Sequence, residues 1–136
     1  MMRALRVTVI VYAVALAVAG LLNIVIPEQM MKTLGFDGLS DAARTVTLLV
    51  GAAYAAAGVW AAVAARDLPK NLIWVKFLIT KALLSDVSML YLGIRGYTEF
   101  SDTLWFILID VAFVALCLAF YPWRSRQQAA LASKAT

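Results

Sequence analysis

The chain has 136 residues, of which 64% are hydrophobic and 15% are charged, and its formal net charge is +4 at pH 7. Soluble domains are closer to half apolar and a quarter charged. A soluble domain of this size buries only about two-thirds of the surface that its unfolded chain exposes, so the surplus apolar side chains would form large exposed patches. The composition therefore excludes an ordinary soluble domain and predicts an integral membrane protein.

Four apolar stretches have the length that spans a bilayer, at about residues 7–26, 45–65, 72–92 and 104–121. In lipid the backbone must satisfy its own hydrogen bonds, and Ala-, Leu-, Val- and Gly-rich runs of this length do so as helices rather than as barrel strands. We therefore predict an all-α fold. Residues 1–123 are expected to form a single four-helix transmembrane bundle, and residues 124–136 a basic cytoplasmic tail.

The first stretch has features of a secretory signal. Arg3 and Arg6 precede it, and the tripeptide 17–19, Ala-Val-Ala, resembles a cleavage site. The apolar run nevertheless continues to Ile26, which is longer than the core of a signal peptide. We interpret this stretch as a retained membrane-spanning helix.

The connection over residues 27–43 is the longest, and its segment 28–36 has the pattern of a short helix ended by Gly35. We expect this helix to lie along the outer membrane interface, with a plain surface loop as the alternative. Its apolar side chains would enter the lipid or cap the bundle, namely Met30, Met31, Leu34 and Phe36. Ser40 is well placed to N-cap the second span.

Basic residues predict the orientation of the chain. One side of the predicted membrane holds Arg3, Arg6, Arg66, Lys70, Arg124, Arg126 and Lys134, and the other holds only Lys32, Arg44 and Arg95. Cytoplasmic loops carry the excess of Lys and Arg, so both termini are expected to be cytoplasmic, in a multi-pass protein of the cell inner (plasma) membrane.

Small residues follow one face of each of the first two spans. The first span carries Ala13, Ala17 and Gly20, and the second carries Gly51, Ala55, Gly58 and Ala62. Membrane helices associate through such surfaces because their backbones can approach closely. We expect these two faces to serve packing, with a close-fitting ligand or an oligomer contact as the alternatives.

Three ionisable residues lie within the spans: Lys81, Asp86 and Asp110. A charge at bilayer depth costs about 3 kcal/mol or more unless it is paired or hydrated. The third span runs outward and the fourth inward, so a rise of about 1.5 Å per residue places both aspartates in one layer, and the Lys81 side chain can reach that layer. We predict that Lys81 pairs with Asp110, and that Asp86 faces either the bundle or a different cation, for which Arg44 is available.

The charge cluster has two interpretations. It is either a structural network that fixes helix order, or a polar cavity for protons, ions or a ligand head group. One lysine against two aspartates would leave the cluster net negative if all three were ionised, so we expect either one carboxyl to be protonated or Arg44 to be recruited. This imbalance favours the functional interpretation. Further polar residues in the same half of the membrane are candidates to line the site, namely Asn23, Tyr54, Ser85, Thr45 and Thr47.

Histidine is absent, and Cys117 is the only cysteine. These two facts exclude axial haem ligation by histidine, histidine-based metal sites and dithiol redox chemistry. Cys117 lies in an apolar run, where cysteine is usually a small packed hydrophobe. We therefore assign no catalytic and no metal-ligating residue, and the sequence weighs against an enzyme.

The pattern resembles the small four-helix bacterial membrane proteins described as DoxX-like. The likeness lies in a proline and short segment after the first span (26–36), Arg44 opening the second, Gly51 and Gly58 within it, and Ala-Ala-Arg-Asp (64–67) closing it. Some relatives of that kind are membrane subunits linked to thiosulfate and quinone oxidation, so the resemblance implies an accessory or quinone-facing role. It carries over no catalytic residue.

Two functions follow as hypotheses. The first is a non-catalytic accessory subunit whose Lys81, Asp86 and Asp110 cluster binds a lipid or quinone head group. The alternative is a proton-coupled transporter of small molecules, although small four-helix exporters rely on a glutamate in the first span and this chain has none there. The expected partners are membrane lipids and a homo-oligomer or larger membrane complex, with no nucleic acid and no cofactor beyond the lipid or quinone.

Overall fold

A computed structural model of the chain describes residues 2–36, 38 and 40–122. These residues form helices joined by turns, with no strand among them: α1 (Met2–Val25), α2 (Pro27–Lys32), α3 (Asp41–Ala64), α4 (Leu72–Ile94) and α5 (Phe100–Phe120). A 3-10 turn, Ala65–Asp67, extends α3. The predicted tail, 124–136, lies outside the described residues.

The four long helices α1, α3, α4 and α5 are long and apolar enough to cross a membrane. Each coincides with one of the predicted spans, so the described part of the chain confirms the all-α prediction and contains the four helices that could span a membrane. Large apolar side chains cover the outward faces of these helices, with Val11, Leu49, Ile73 and Trp105 between 64% and 71% exposed. Such faces require an apolar solvent.

The long helices are arranged in the order α3, α1, α5, α4. Helix α1 packs against both α3 and α5, and α4 packs against α5. By contrast, α3 and α4 touch at only a few positions. The arrangement therefore has one open side, between α3 and α4.

Small residues bring α1 and α3 together, as predicted. A Cβ atom added at Gly58 would lie 2.5 Å from the carbonyl oxygen of Ala13 and 2.6 Å from the amide nitrogen of Ala17. A Cβ added at Gly20 would collide with the backbone of Ala55 and Gly51. Only glycine permits this backbone contact, so the small-residue faces form the α1–α3 interface.

The predicted short helix after the first span is present as α2. Pro27 occupies its first turn, where a missing N–H costs nothing. Gly35 ends the following turn with φ +82°, a conformation that glycine adopts without strain. The Ser40 side chain then accepts a hydrogen bond from the Ala43 amide at 3.2 Å, which confirms the predicted N-cap of α3.

Candidate functional site

A cavity of about 350 Å³ lies between α1, α3, α4 and α5. Its walls are mostly apolar, and α2 with the turn after it contributes Met30, Met31 and Leu34. The polar side chains that line it are Tyr12, Asn23, Thr47, Tyr54, Lys81, Ser85 and Asp110. Six of the nine candidate residues predicted from the sequence therefore line one cavity, while Asp86, Arg44 and Thr45 are not among its lining residues.

Lys81 and Asp110 form an ion pair across the contact between α4 and α5. The Lys81 Nζ atom lies 3.9 Å from Asp110 Oδ2, and the two side chains are 17% and 13% exposed. This pairing was predicted from the depth of the two residues in their spans, and it is confirmed. The distance is long for a hydrogen bond, so the pair is mainly electrostatic.

Tyr12 completes the surroundings of Asp110, and the sequence analysis missed it. Its hydroxyl donates a hydrogen bond of 2.6 Å to Asp110 Oδ1. Its ring stacks on Phe113, with centroids 3.7 Å apart and an interplanar angle of 8°. The available signal was a phenol group in the middle of an apolar helix, since a buried tyrosine hydroxyl usually has a partner.

Tyr54 lies beneath the Lys81 ammonium. The Nζ atom is 4.2 Å from the centroid of the Tyr54 ring and 5.8 Å from that of Tyr12. The negative face of an aromatic ring attracts a cation, and this attraction is stronger where water is excluded. Tyr54, which was expected to supply a hydrogen bond, instead offers its ring to the charge.

The Lys81 ammonium and the Ser85 hydroxyl line the cavity and can donate hydrogen bonds into it. Within the described part of the chain, neither group donates a hydrogen bond to a protein acceptor. The two residues are one helical turn apart on α4, so their side chains lie on the same face. Together they can donate to an acceptor that enters the cavity.

The alternative that Arg44 neutralises Asp86 is wrong. Arg44 donates a hydrogen bond to Glu28 at the start of α2, and both of these side chains are about half exposed. Glu28 is the nearer carboxylate and lets the guanidinium keep its hydration, whereas pairing with Asp86 would require burying it. Asp86 is 7% exposed, and it interacts electrostatically with Asp110 and Lys81. It therefore faces the interior rather than lipid.

The remaining polar candidates bond to their own helices. The Asn23 amide donates to the carbonyl of Ala19 at 2.8 Å, and the Thr47 hydroxyl to that of Ala43 at 2.9 Å, although both residues line the cavity. Thr45 is exposed and donates to Asp41. Such bonds are the usual way to satisfy a polar side chain on a helix, so these residues contribute little to the site.

The described residues contain no group of three or more His, Cys, Asp or Glu side chains that could hold a metal ion. Comparison of the chain with protein-family models, with curated proteins and with solved structures finds no match. The function of the cavity is therefore argued from its own shape and chemistry.

Proposed function

We propose that this chain is a non-catalytic membrane subunit that binds the head group of a lipid or quinone in the cavity beneath α2. The observation that carries the proposal is that, among the described residues, Lys81 and Ser85 donate no hydrogen bond to a protein acceptor, and that both line a mostly apolar cavity. Binding sites for small molecules have this character, with apolar walls and a few convergent polar groups that orient the ligand. An amphiphile with a carbonyl or similar acceptor suits such a site.

The contacts made by the two charged side chains favour ligand binding over catalysis. Asp110 is already engaged by the Tyr12 hydroxyl and by Lys81, and Tyr54 covers another side of the ammonium. The charges are thus held in place by neighbours, as in a site that recognises a ligand.

We propose that the chain lies in the bacterial inner membrane, with both termini in the cytoplasm and α2 at the outer interface. Its proposed partner is a second copy of the chain or a larger membrane complex. The resemblance to DoxX-like proteins supports an accessory role of this kind. The distribution of basic residues supports the orientation.

The direct test is binding of a decyl-substituted benzoquinone to the purified chain in lipid nanodiscs. Lys81→Met removes the charged donor, and a hydrogen bond to a charged group is worth about 1.5–3 kcal/mol, so affinity should fall about tenfold or more. Lys76→Met is the matched control, because Lys76 is exposed on the same helix and does not line this cavity. Equal affinities of the two variants would contradict the proposal.

A second variant separates binding from stability. Ser85→Ala keeps the Lys81–Asp110 pair and removes only one donor, so it should weaken quinone binding several-fold without lowering the melting temperature. The transporter alternative makes a different prediction. Proton release when a lipophilic cation is added, abolished in Asp86→Asn or Asp110→Asn, would favour transport over the accessory role.

A further inference from the structure

A second cavity, a groove of about 440 Å³, lies on the open side of the molecule, beside the sparse contact between α3 and α4. Its wall includes the apolar side chains of Phe77, Leu84 and Leu92. Phe77 and Leu84 are 48% and 63% exposed, on a helix that is long and apolar enough to cross a membrane. The groove therefore faces the hydrocarbon region rather than water.

The covered cavity and the groove share four lining residues: Tyr54, Lys81, Ser85 and Met89. Side chains alone thus separate the two spaces, and the Lys81 ammonium resting on the Tyr54 ring forms part of this partition. Among the described residues no hydrogen bond joins Lys81 to Tyr54, and a methionine side chain such as Met89 is flexible. The partition can open without breaking any backbone contact.

We infer that the ligand carries an unbranched apolar chain, that its head group lies at Lys81 and Ser85 inside the covered cavity, and that its chain lies in the groove between α3 and α4. This inference rests on the proposed function and names the class of ligand. Lys81 and Ser85, which donate no hydrogen bond to a protein acceptor within the described residues, lie at the partition, while the groove offers mainly apolar contacts and opens to lipid.

Placing the head group in the groove and the apolar chain in the covered cavity would be unfavourable. A head group in the groove would face hydrocarbon, where a polar group without a partner costs several kcal/mol. A chain directed the other way, toward α2, would have to pass Met30, Met31 and Leu34, which cover that end of the cavity. Entry from the bilayer through the α3–α4 side needs only the movement of side chains.

The experiment compares two tryptophan substitutions with two probes. Leu84 lines the groove and not the covered cavity, whereas Val87 lines neither and is equally exposed, at 64% against 63%. The probes are a decyl-substituted benzoquinone and the same quinone with a methyl group in place of the chain, each measured in nanodiscs. We expect Leu84→Trp to weaken binding of the decyl probe about tenfold and to leave the methyl probe unchanged, and Val87→Trp to change neither.

The outcomes separate this inference from the proposed function. Binding of the methyl probe by Leu84→Trp shows that the variant is folded, and Ser88→Trp, on the same groove wall, provides a second obstruction. If both groove variants bind the decyl probe as tightly as the unmodified chain, the placement of the apolar chain is wrong although the head-group site stands. If the unmodified chain binds neither probe, the proposed function fails and this inference fails with it.

Discussion

Asp110 contacts Tyr12 on α1 and Lys81 on α4, so its substitution tests the site most directly at the level of single residues. Asp110→Leu removes the partner of Lys81 and the acceptor of the Tyr12 hydroxyl. Breaking one member of a buried ion pair leaves the other charge uncompensated, which costs roughly 3–5 kcal/mol. We expect a loss of this size in the free energy of unfolding, measured by denaturation in mixed micelles.

The double variant Lys81→Met with Asp110→Leu supplies the control. Replacing both members of a buried pair with apolar residues is often neutral, so the double variant should be more stable than Asp110→Leu alone. Losses that simply add would show that the two charges act independently, in conflict with the 3.9 Å separation of their atoms.

The charge cluster could be predicted from the sequence only in part. Depth along two antiparallel spans was enough to pair Lys81 with Asp110, because a buried charge requires a partner and few were available. The same reasoning wrongly offered Arg44 to Asp86, since it ignored the carboxylate of Glu28, which α2 brings close. Tyr12 was overlooked because its hydroxyl acquires its role only when α1 and α5 come into contact.

At the level of helices, the contact between α1 and α3 depends on the absence of side chains. Gly58→Val would place its Cβ within 2.6 Å of backbone atoms of Ala13 and Ala17, which cannot move independently of their helix. Overpacking of this kind typically costs about 1–3 kcal/mol. Ala56→Val, two residues earlier at an exposed position, should leave the melting temperature in detergent unchanged. Equal melting temperatures for the two variants would contradict the interface.

The position of α2 over the cavity depends on the turn at Gly35. In Gly35→Ala, the new Cβ would lie 2.7 Å from Asp102 Oδ2, and the residue would also have to keep φ +82°. Gly38 has a similar φ, +77°, but nothing lies within 4 Å of the corresponding position. Both variants incur the backbone cost of about 1–2 kcal/mol, and only Gly35→Ala also requires the Asp102 carboxylate on α5 to move aside.

We therefore expect faster amide hydrogen exchange in α2 for Gly35→Ala than for Gly38→Ala, measured by mass spectrometry. Similar exchange in both would mean that the limited space beside Asp102 does not keep α2 in place over the cavity.

The helices themselves were predictable, because a long apolar run has few alternatives in lipid. The small-residue faces were correctly predicted to serve packing, although the sequence did not show that α1 and α3 pack against each other. The open side between α3 and α4 was not predictable, since no pattern within one helix reports a contact that is missing.

For the molecule as a whole, the decisive property is that, among the described residues, apolar side chains cover the outer faces, Lys81 and Asp110 pair inside, and most other charges lie near the ends of the helices. The position of those end charges predicts the orientation. Among the described residues, Arg3, Arg6, Arg66 and Lys70 lie on one side, and Lys32, Arg44 and Arg95 on the other. Because cytoplasmic loops usually carry the excess of basic residues, we expect the first of these sides, which includes the turn between α3 and α4, to be the cytoplasmic one.

This orientation can be measured with single cysteines. Glu99 and Lys70 are exposed at opposite ends of the molecule, and the native Cys117 is fully buried and can remain in place. In intact cells, a maleimide that does not cross membranes should label Glu99→Cys, whereas Lys70→Cys should react only after the cells are permeabilised. The reverse pattern would place α2 and the covered end of the cavity in the cytoplasm. The ligand would then still be able to enter between α3 and α4, because that opening faces the bilayer in either orientation.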